Sequence, residues 1–254
     1  MVKGIDQFKA HFEGFNDRYV LIGGAACYLV MEEVGLDFRA TKDLDIVLCV
    51  ETLDSEFVGA FWDFVKKGGY QHRQKSTGKK LFYRFYKPKD PTFPWMLELF
   101  SRIPDALSLQ DDAHLTPISV NGEVSSLSAI LLDDAYYRFI HESKRESGGF
   151  SVVPPETLVP MKARAWLDLV GMRAEGQKVD EKDIKKHKND VFRLFQVIAP
   201  ETRVVLPDSI GTDLQKFLEA VEADPPQSLK PFGLGNSKAD KVIGTLRAIY
   251  GLSE

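Results

Sequence analysis

The sequence predicts an α+β protein, a mixed α/β half followed by an all-helical half, on three observations. Up to about residue 120, compact apolar runs with β-branched and aromatic residues alternate with segments whose apolar residues recur at helical spacing. From Ser126 onward the pattern is helical throughout. Within that stretch, Glu146-Ser-Gly-Gly-Phe-Ser-Val-Val-Pro-Pro reads as a linker, which predicts two domains, 1–147 and 148–254.

The elements follow in order. Residues 5–17 read as a short amphipathic helix, and Arg18-Tyr-Val-Leu-Ile22 as a strand ended by Gly23-Gly24. Ala25 to Gly35 is rich in Ala, Leu and Met and closes on glycine, a helix. A second strand, 44–50, is entered through Thr41-Lys42-Asp43. Phe57, Phe61, Phe64 and Val65 mark a helix that Gly68-Gly69 stops. Residues 81–86 and 95–100 form a strand pair, and 115–120 a short strand turning at Asn121-Gly122. Ser126 caps a helix running to about Glu142, and further helices fall near 157–173, 181–198, 208–223 and 237–250. Trp166, Leu169 and Met172 read as core, and no internal repeat is present.

At 254 residues the chain is long enough for one large domain or two modest ones, and 44% hydrophobic with 28% charged residues is an ordinary globular balance. No apolar run approaches the roughly 18 residues of a membrane span, and Met1-Val-Lys-Gly-Ile-Asp lacks a signal peptide's apolar stretch. The expectation is a cytoplasmic protein with no membrane partner. Cys27 and Cys49 are too few for a disulfide framework or a zinc site and read as buried thiols. The five histidines show no ligand spacing. Although the net charge is −4, Lys66 to Lys89 carries nine Lys/Arg and no acid. Such an island suits either a local anionic partner or a solvated hairpin. Tyr70, Phe82, Tyr83, Phe85 and Tyr86 are interleaved with it. That mixture suits RNA, although one row of aromatics on a strand must face the core.

Three carboxylates carry the chemistry. Alternate side chains of a strand share a face, so Asp43-Leu44-Asp45 puts two acids on one face and Leu44 in the core. Met96-Leu-Glu98-Leu-Phe100 places one acid in an apolar strand, where burial is costly without compensation. If that strand lies beside the first, Glu98 joins the pair, and a divalent cation with oxygen ligands such as Mg2+ (or Mn2+) turns their repulsion into binding. The competing reading makes Asp43 a turn residue and leaves Glu98 facing solvent or paired with Arg102. Gly23 and Gly24, between a strand and a helix, let backbone N–H groups approach a phosphate.

Leu21-Ile-Gly-Gly-Ala, Arg39-Ala-Thr-Lys-Asp-Leu-Asp-Ile-Val and Met96-Leu-Glu-Leu together resemble the polymerase-β-type nucleotidyltransferase superfamily. The abortive-infection (AbiEii-type) toxin nucleotidyltransferases resemble the chain more closely, through Lys162 in Leu158-Val-Pro-Met-Lys-Ala-Arg-Ala and Asp190 in Lys188-Asn-Asp-Val-Phe-Arg-Leu. The resemblance spans roughly residues 18–195. The chain departs from it in carrying Gly23-Gly24 where many members have Gly-Ser, and in having few arginines around Asp190.

This resemblance implies an N-terminal nucleotidyltransferase domain, a small mixed β-sheet flanked by helices, followed by a C-terminal α-helical bundle. It implies NMP transfer from an NTP to an acceptor hydroxyl of RNA, tRNA or protein. Asp43 and Asp45 would hold the triphosphate's metal, and Glu98 a second metal and the acceptor proton. Gly23 and Gly24 would cradle phosphates, Arg39, Thr41 and Lys42 contact phosphate or orient Asp43, Lys162 meet the triphosphate, and Asp190 fix Lys162 or the acceptor. The biological reading is the toxin of a toxin–antitoxin or phage-defence pair, with an antitoxin as partner. The alternatives are an inactive nucleotide-binding module on the same fold and a transferase with a small-molecule acceptor.

Overall fold

The computed structural model describes residues 2–72, 83–102, 115–120 and 123–253. The elements are α1 (Ile5–His11), β1 (Tyr19–Ile22), α2 (Gly23–Glu32), β2 (Asp43–Leu48), α3 (Ser55–Gly68), β3 (Gln71–His72), β4 (Arg84–Tyr86), β5 (Met96–Ser101), β6 (Leu115–Val120), β7 (Glu123–Leu131), α4 (Asp134–Ser143), β8 (Arg145–Ser147) and β9 (Phe150–Val152). After these come only helices: α5 (Pro155–Ala174), α6 (Glu181–Phe195), α7 (Asp208–Ala223), a 3-10 turn (Lys230–Phe232) and α8 (Ala239–Tyr250). None of the described helices is long and apolar enough to cross a membrane.

The strands form one mixed sheet in the order β3-β4-β5-β2-β1-β9-β8, with β7 pairing β5 and β6. The centre is made by sequence. All four residues of β1 are buried, as expected of a strand covered on both faces. In β2, Leu44, Ile46 and Leu48 are fully buried while Asp43 and Asp45 are half-buried. Leu44 thus points into the core, as the alternation of Asp43-Leu44-Asp45 predicts.

One face of the sheet is packed with aromatic rings. Phe61 of α3 meets Phe85 of β4 edge-on with ring centroids 5.5 Å apart. Phe8 of α1 lies 5.3 Å from Tyr19 and 5.8 Å from Phe64. Each fully buried ring contributes about 1.5–3 kcal/mol. Helix α3 starts at Asp54, whose carboxylate accepts the Phe57 N–H at 2.8 Å and also takes the Arg18 guanidinium at 2.8 Å. The Phe57 N–H and Arg18 hold this carboxyl below its ordinary range. Asp54→Ala removes both contacts and is expected to lower stability by about 1–2 kcal/mol, read as a lower urea midpoint with an unchanged slope.

At the other end of β2, Tyr137 of α4 anchors its helix to the sheet. Its hydroxyl accepts the Val50 N–H at 3.0 Å and donates to Glu51 at 2.6 Å. Arg102 donates to the same carboxylate at 2.9 Å. Burial pushes the Glu51 carboxyl up, but Tyr137 and Arg102 outweigh it and hold the group below its usual value.

Four expectations are corrected. The first helix ends at His11, not at residue 17, because Gly14, at φ 88, and the turn after it break it. The helix expected from Ser126 is strand β7 up to Leu131, paired in antiparallel register with β6. The helix there starts only at Asp134, where the Asp133 carboxylate accepts the Ala135 N–H at 2.9 Å. The segment read as a linker is largely the β8–β9 hairpin, turning at Gly148-Gly149 with Ser147 opposite Phe150. Because β9 pairs with β1, the hairpin belongs to the sheet, and the chain divides into compact units Met1–Val153 and Pro154–Glu254. Met172 is not core. It is 43% exposed, since the last turn of α5 is exposed on every side.

The second unit is helical, as its spacing predicts. Pro155 starts α5 at a position where its missing N–H costs nothing. Trp166 packs edge-on against Phe217 at 5.4 Å, and the Tyr250 hydroxyl donates to the Glu156 carbonyl at 2.8 Å. Both cysteines are buried thiols.

Candidate functional site

The strand register builds the site. β2 and β5 run parallel with Asp45 opposite Glu98 and Asp43 opposite Met96. β1 runs antiparallel to β2 with Ile22 opposite Asp45. β4 runs antiparallel to β5 with Arg84 opposite Glu98. Directly opposed residues share a face with Cβ atoms about 5 Å apart. Asp45, Glu98 and Arg84 therefore form one row across three strands, and Asp43, Met96 and Tyr86 form the next. Glu98 lies beside the acid pair, which was the condition for its being the third acid.

Helix α2 begins where this row meets β1. Gly23 is its first residue, at φ +66, a region side-chain-bearing residues avoid. A Cβ there would stand 1.8 Å from Asp45 Oδ2, so only glycine lets the helix start against that carboxylate. A Cβ on Gly24 would come within 2.7 Å of Thr41 Oγ1. Its N-cap residue, Ile22, makes no side-chain capping hydrogen bond, and its first turn holds no acid. The glycine pair thus brings the N-terminal N–H groups of α2, the positive end of its dipole, next to Asp45.

Glu98 is 8% exposed and is compensated by arginine, though not by Arg102, which pairs with Glu51. Arg84 Nε donates to Glu98 Oε1 at 2.7 Å, and Arg84 Nη2 joins the same oxygen. This partner was missed in the sequence, where Arg84 counted only as part of the basic stretch. The strand pair 81–86/95–100 held the clue, because a short antiparallel connection sets an arginine across from an acid. Among the described residues no group of three or more His, Cys, Asp or Glu gathers as a metal cage. The donor set is nevertheless one that suits a hard cation, with three carboxylates on neighbouring strands and a glycine leaving space beside one of them.

Arg39 lies 5.2 Å from the Phe38 ring, Thr41 abuts Gly24 and Lys42 is exposed. Residues 73–82, the middle of the basic and aromatic stretch, lie outside the described residues, as does Asn121-Gly122.

In the helical unit Lys162 and Asp190 meet. Lys162 Nζ is 3.2 Å from Asp190 Oδ2, with the side chains 5% and 0% exposed. Arg193 Nη1 lies 3.3 Å from the other carboxylate oxygen and over the Phe232 ring at 5.3 Å. Buried charges of this kind persist only when paired.

No protein-family model matches the chain, and no curated protein matches it. Three solved structures are similar to it. One is the antibiotic-resistance factor ANT(2'')-Ia, with TM-score 0.41, 13% identity and coverage of 87% of this chain and 92% of that one. Another is the Megavirus polyadenylate synthase, with TM-score 0.38, 12% identity and coverage of 87% and 36%. The third is JHP933 from Helicobacter pylori, with TM-score 0.35, 14% identity and coverage of 97% and 88%.

Proposed function

We propose that the chain is a metal-dependent nucleotidyltransferase of the polymerase-β type, moving NMP from an NTP to an acceptor hydroxyl. The observation that carries this reading is the row in which Asp45 lies opposite Glu98 on parallel neighbours and Gly23 packs against Asp45. Carboxylates on a rigid sheet beside a helix N-terminus are the parts phosphoryl chemistry needs, namely positioning and charge neutralisation.

Asp43, Asp45 and Glu98 would hold Mg2+ or Mn2+, which when bound neutralises charge on the triphosphate and lowers the pKa of an attacking hydroxyl. Gly23, Gly24 and the first N–H groups of α2 would bind triphosphate oxygens. Arg39, Thr41 and Lys42 would flank the phosphates. Glu98 would accept the acceptor's proton. The basic and aromatic segment around 73–89 favours RNA, tRNA included, as acceptor. The AbiEii-type resemblance adds a toxin role with a cognate antitoxin.

The test is transfer of label from α-labelled NTPs, with Mg2+, to an RNA or protein pool. Asp45→Asn is expected to reduce it by on the order of 10³-fold or more, as several kcal/mol of transition-state charge stabilisation is lost. Equal labelling by the variant refutes the assignment. The Arg84 guanidinium on Glu98 favours a second reading, a nucleotide-binding module without turnover. Calorimetric NTP binding with no labelling of any acceptor would establish that one instead.

A further inference from the structure

We propose that Arg84 is a resident counter-cation of Glu98, which a divalent ion must displace before the acid row can be fully loaded. The inference rests on the metal-dependent reading of Asp43, Asp45 and Glu98. It adds an autoinhibitory contact inside that site.

Three observations carry it. Arg84 stands directly opposite Glu98 in the β4–β5 register, so the contact is fixed by backbone pairing rather than by chance approach of two long side chains. Two guanidinium nitrogens converge on the same Glu98 oxygen, Oε1. The Glu98 side chain is 11% exposed and that of Arg84 37%. The acid therefore depends on a protein cation or a metal for compensation, while the arginine has a path to water.

Electrostatics sets the order of events. Asp43 and Asp45 lie on one face of β2 and are half-buried. Glu98 with Arg84 is a neutral pair, with its attraction for a further cation largely cancelled. An ion bound at Asp43 and Asp45 repels the neighbouring guanidinium and loosens its hold on Glu98. Loading at Glu98 is therefore coupled to loading at the aspartates, and the chain resists binding metal at Glu98 until the first ion is in place. Arg84 is a positioning residue, acting through Glu98.

Mn2+ binding to the full chain, followed by the paramagnetic resonance of the free ion, tests this without reference to activity. Wild type is compared with Arg84→Met, which keeps the stem and removes the charge, and with Asp45→Asn. Arg84→Met is expected to bind its weakest Mn2+ about tenfold tighter or more, the scale of a lost competing charge-assisted hydrogen-bonded pair. Arg84→Lys, which keeps a charge but loses the fork, is expected to fall between the two and serves where Arg84→Met does not fold. If wild type binds Mn2+ at a site that Asp45→Asn removes, and the Arg84 variants bind with unchanged affinity and stoichiometry, the displacement is overturned while the metal site stands. If no form binds Mn2+ in a way that Asp45→Asn abolishes, the metal reading and this inference both fall.

Discussion

Gly23→Ala is expected to abolish the proposed nucleotidyl transfer and to lower stability by a few kcal/mol. An alanine Cβ at this position would sit 1.8 Å from Asp45 Oδ2 and 2.8 Å from Asp45 Cγ, far inside any real contact. Either the carboxylate swings away or the first turn of α2 unwinds, and both destroy the juxtaposition of acid and helix N-terminus. To this is added the strain of a left-handed alanine, about 1–2 kcal/mol. Gly35→Ala separates the two terms. Gly35 has φ +70, yet nothing lies within 4 Å of the position its Cβ would take. The control should lose about the strain alone and keep transfer activity. Urea unfolding and labelling from α-labelled NTPs read the two effects. Retained activity in Gly23→Ala would remove Asp45 and its glycine from the proposed site.

The same contrast between local and distant constraint explains what was legible in the sequence. Asp43-Leu44-Asp45 was readable because strand alternation is local: Leu44 is fully buried and the two acids share the other face. The helices of the second half were readable because their spacing runs for 12 to 20 residues each. Glu98 was readable only conditionally, since its place beside Asp45 depends on the β2–β5 register, a pairing between segments about fifty residues apart. Arg84 was not read as its partner because that needs a second register, β4 on β5. Strand β7 was misread because Ser126, a good helix N-cap, sits within it, and only pairing with β6 and β5 decides the matter. The β8–β9 hairpin was misread as a linker because glycine-rich turns and flexible linkers share a composition, and the pairing of β9 with β1 is not local.

Lys162→Met is expected to destabilise the helical unit by about 3 kcal/mol. Asp190 is fully buried, and the lysine ammonium at 3.2 Å is a direct counter-charge. Arg193 at 3.3 Å keeps a second one in place, which sets the loss at the lower end of the range for a broken buried pair. Replacing both partners, Lys162→Met with Asp190→Leu, is expected to recover most of the loss, because the cost lies in a buried carboxylate left with less counter-charge rather than in the missing attraction. A single variant as stable as the wild type at pH 7 would mean that Asp190 is adequately served by Arg193 alone.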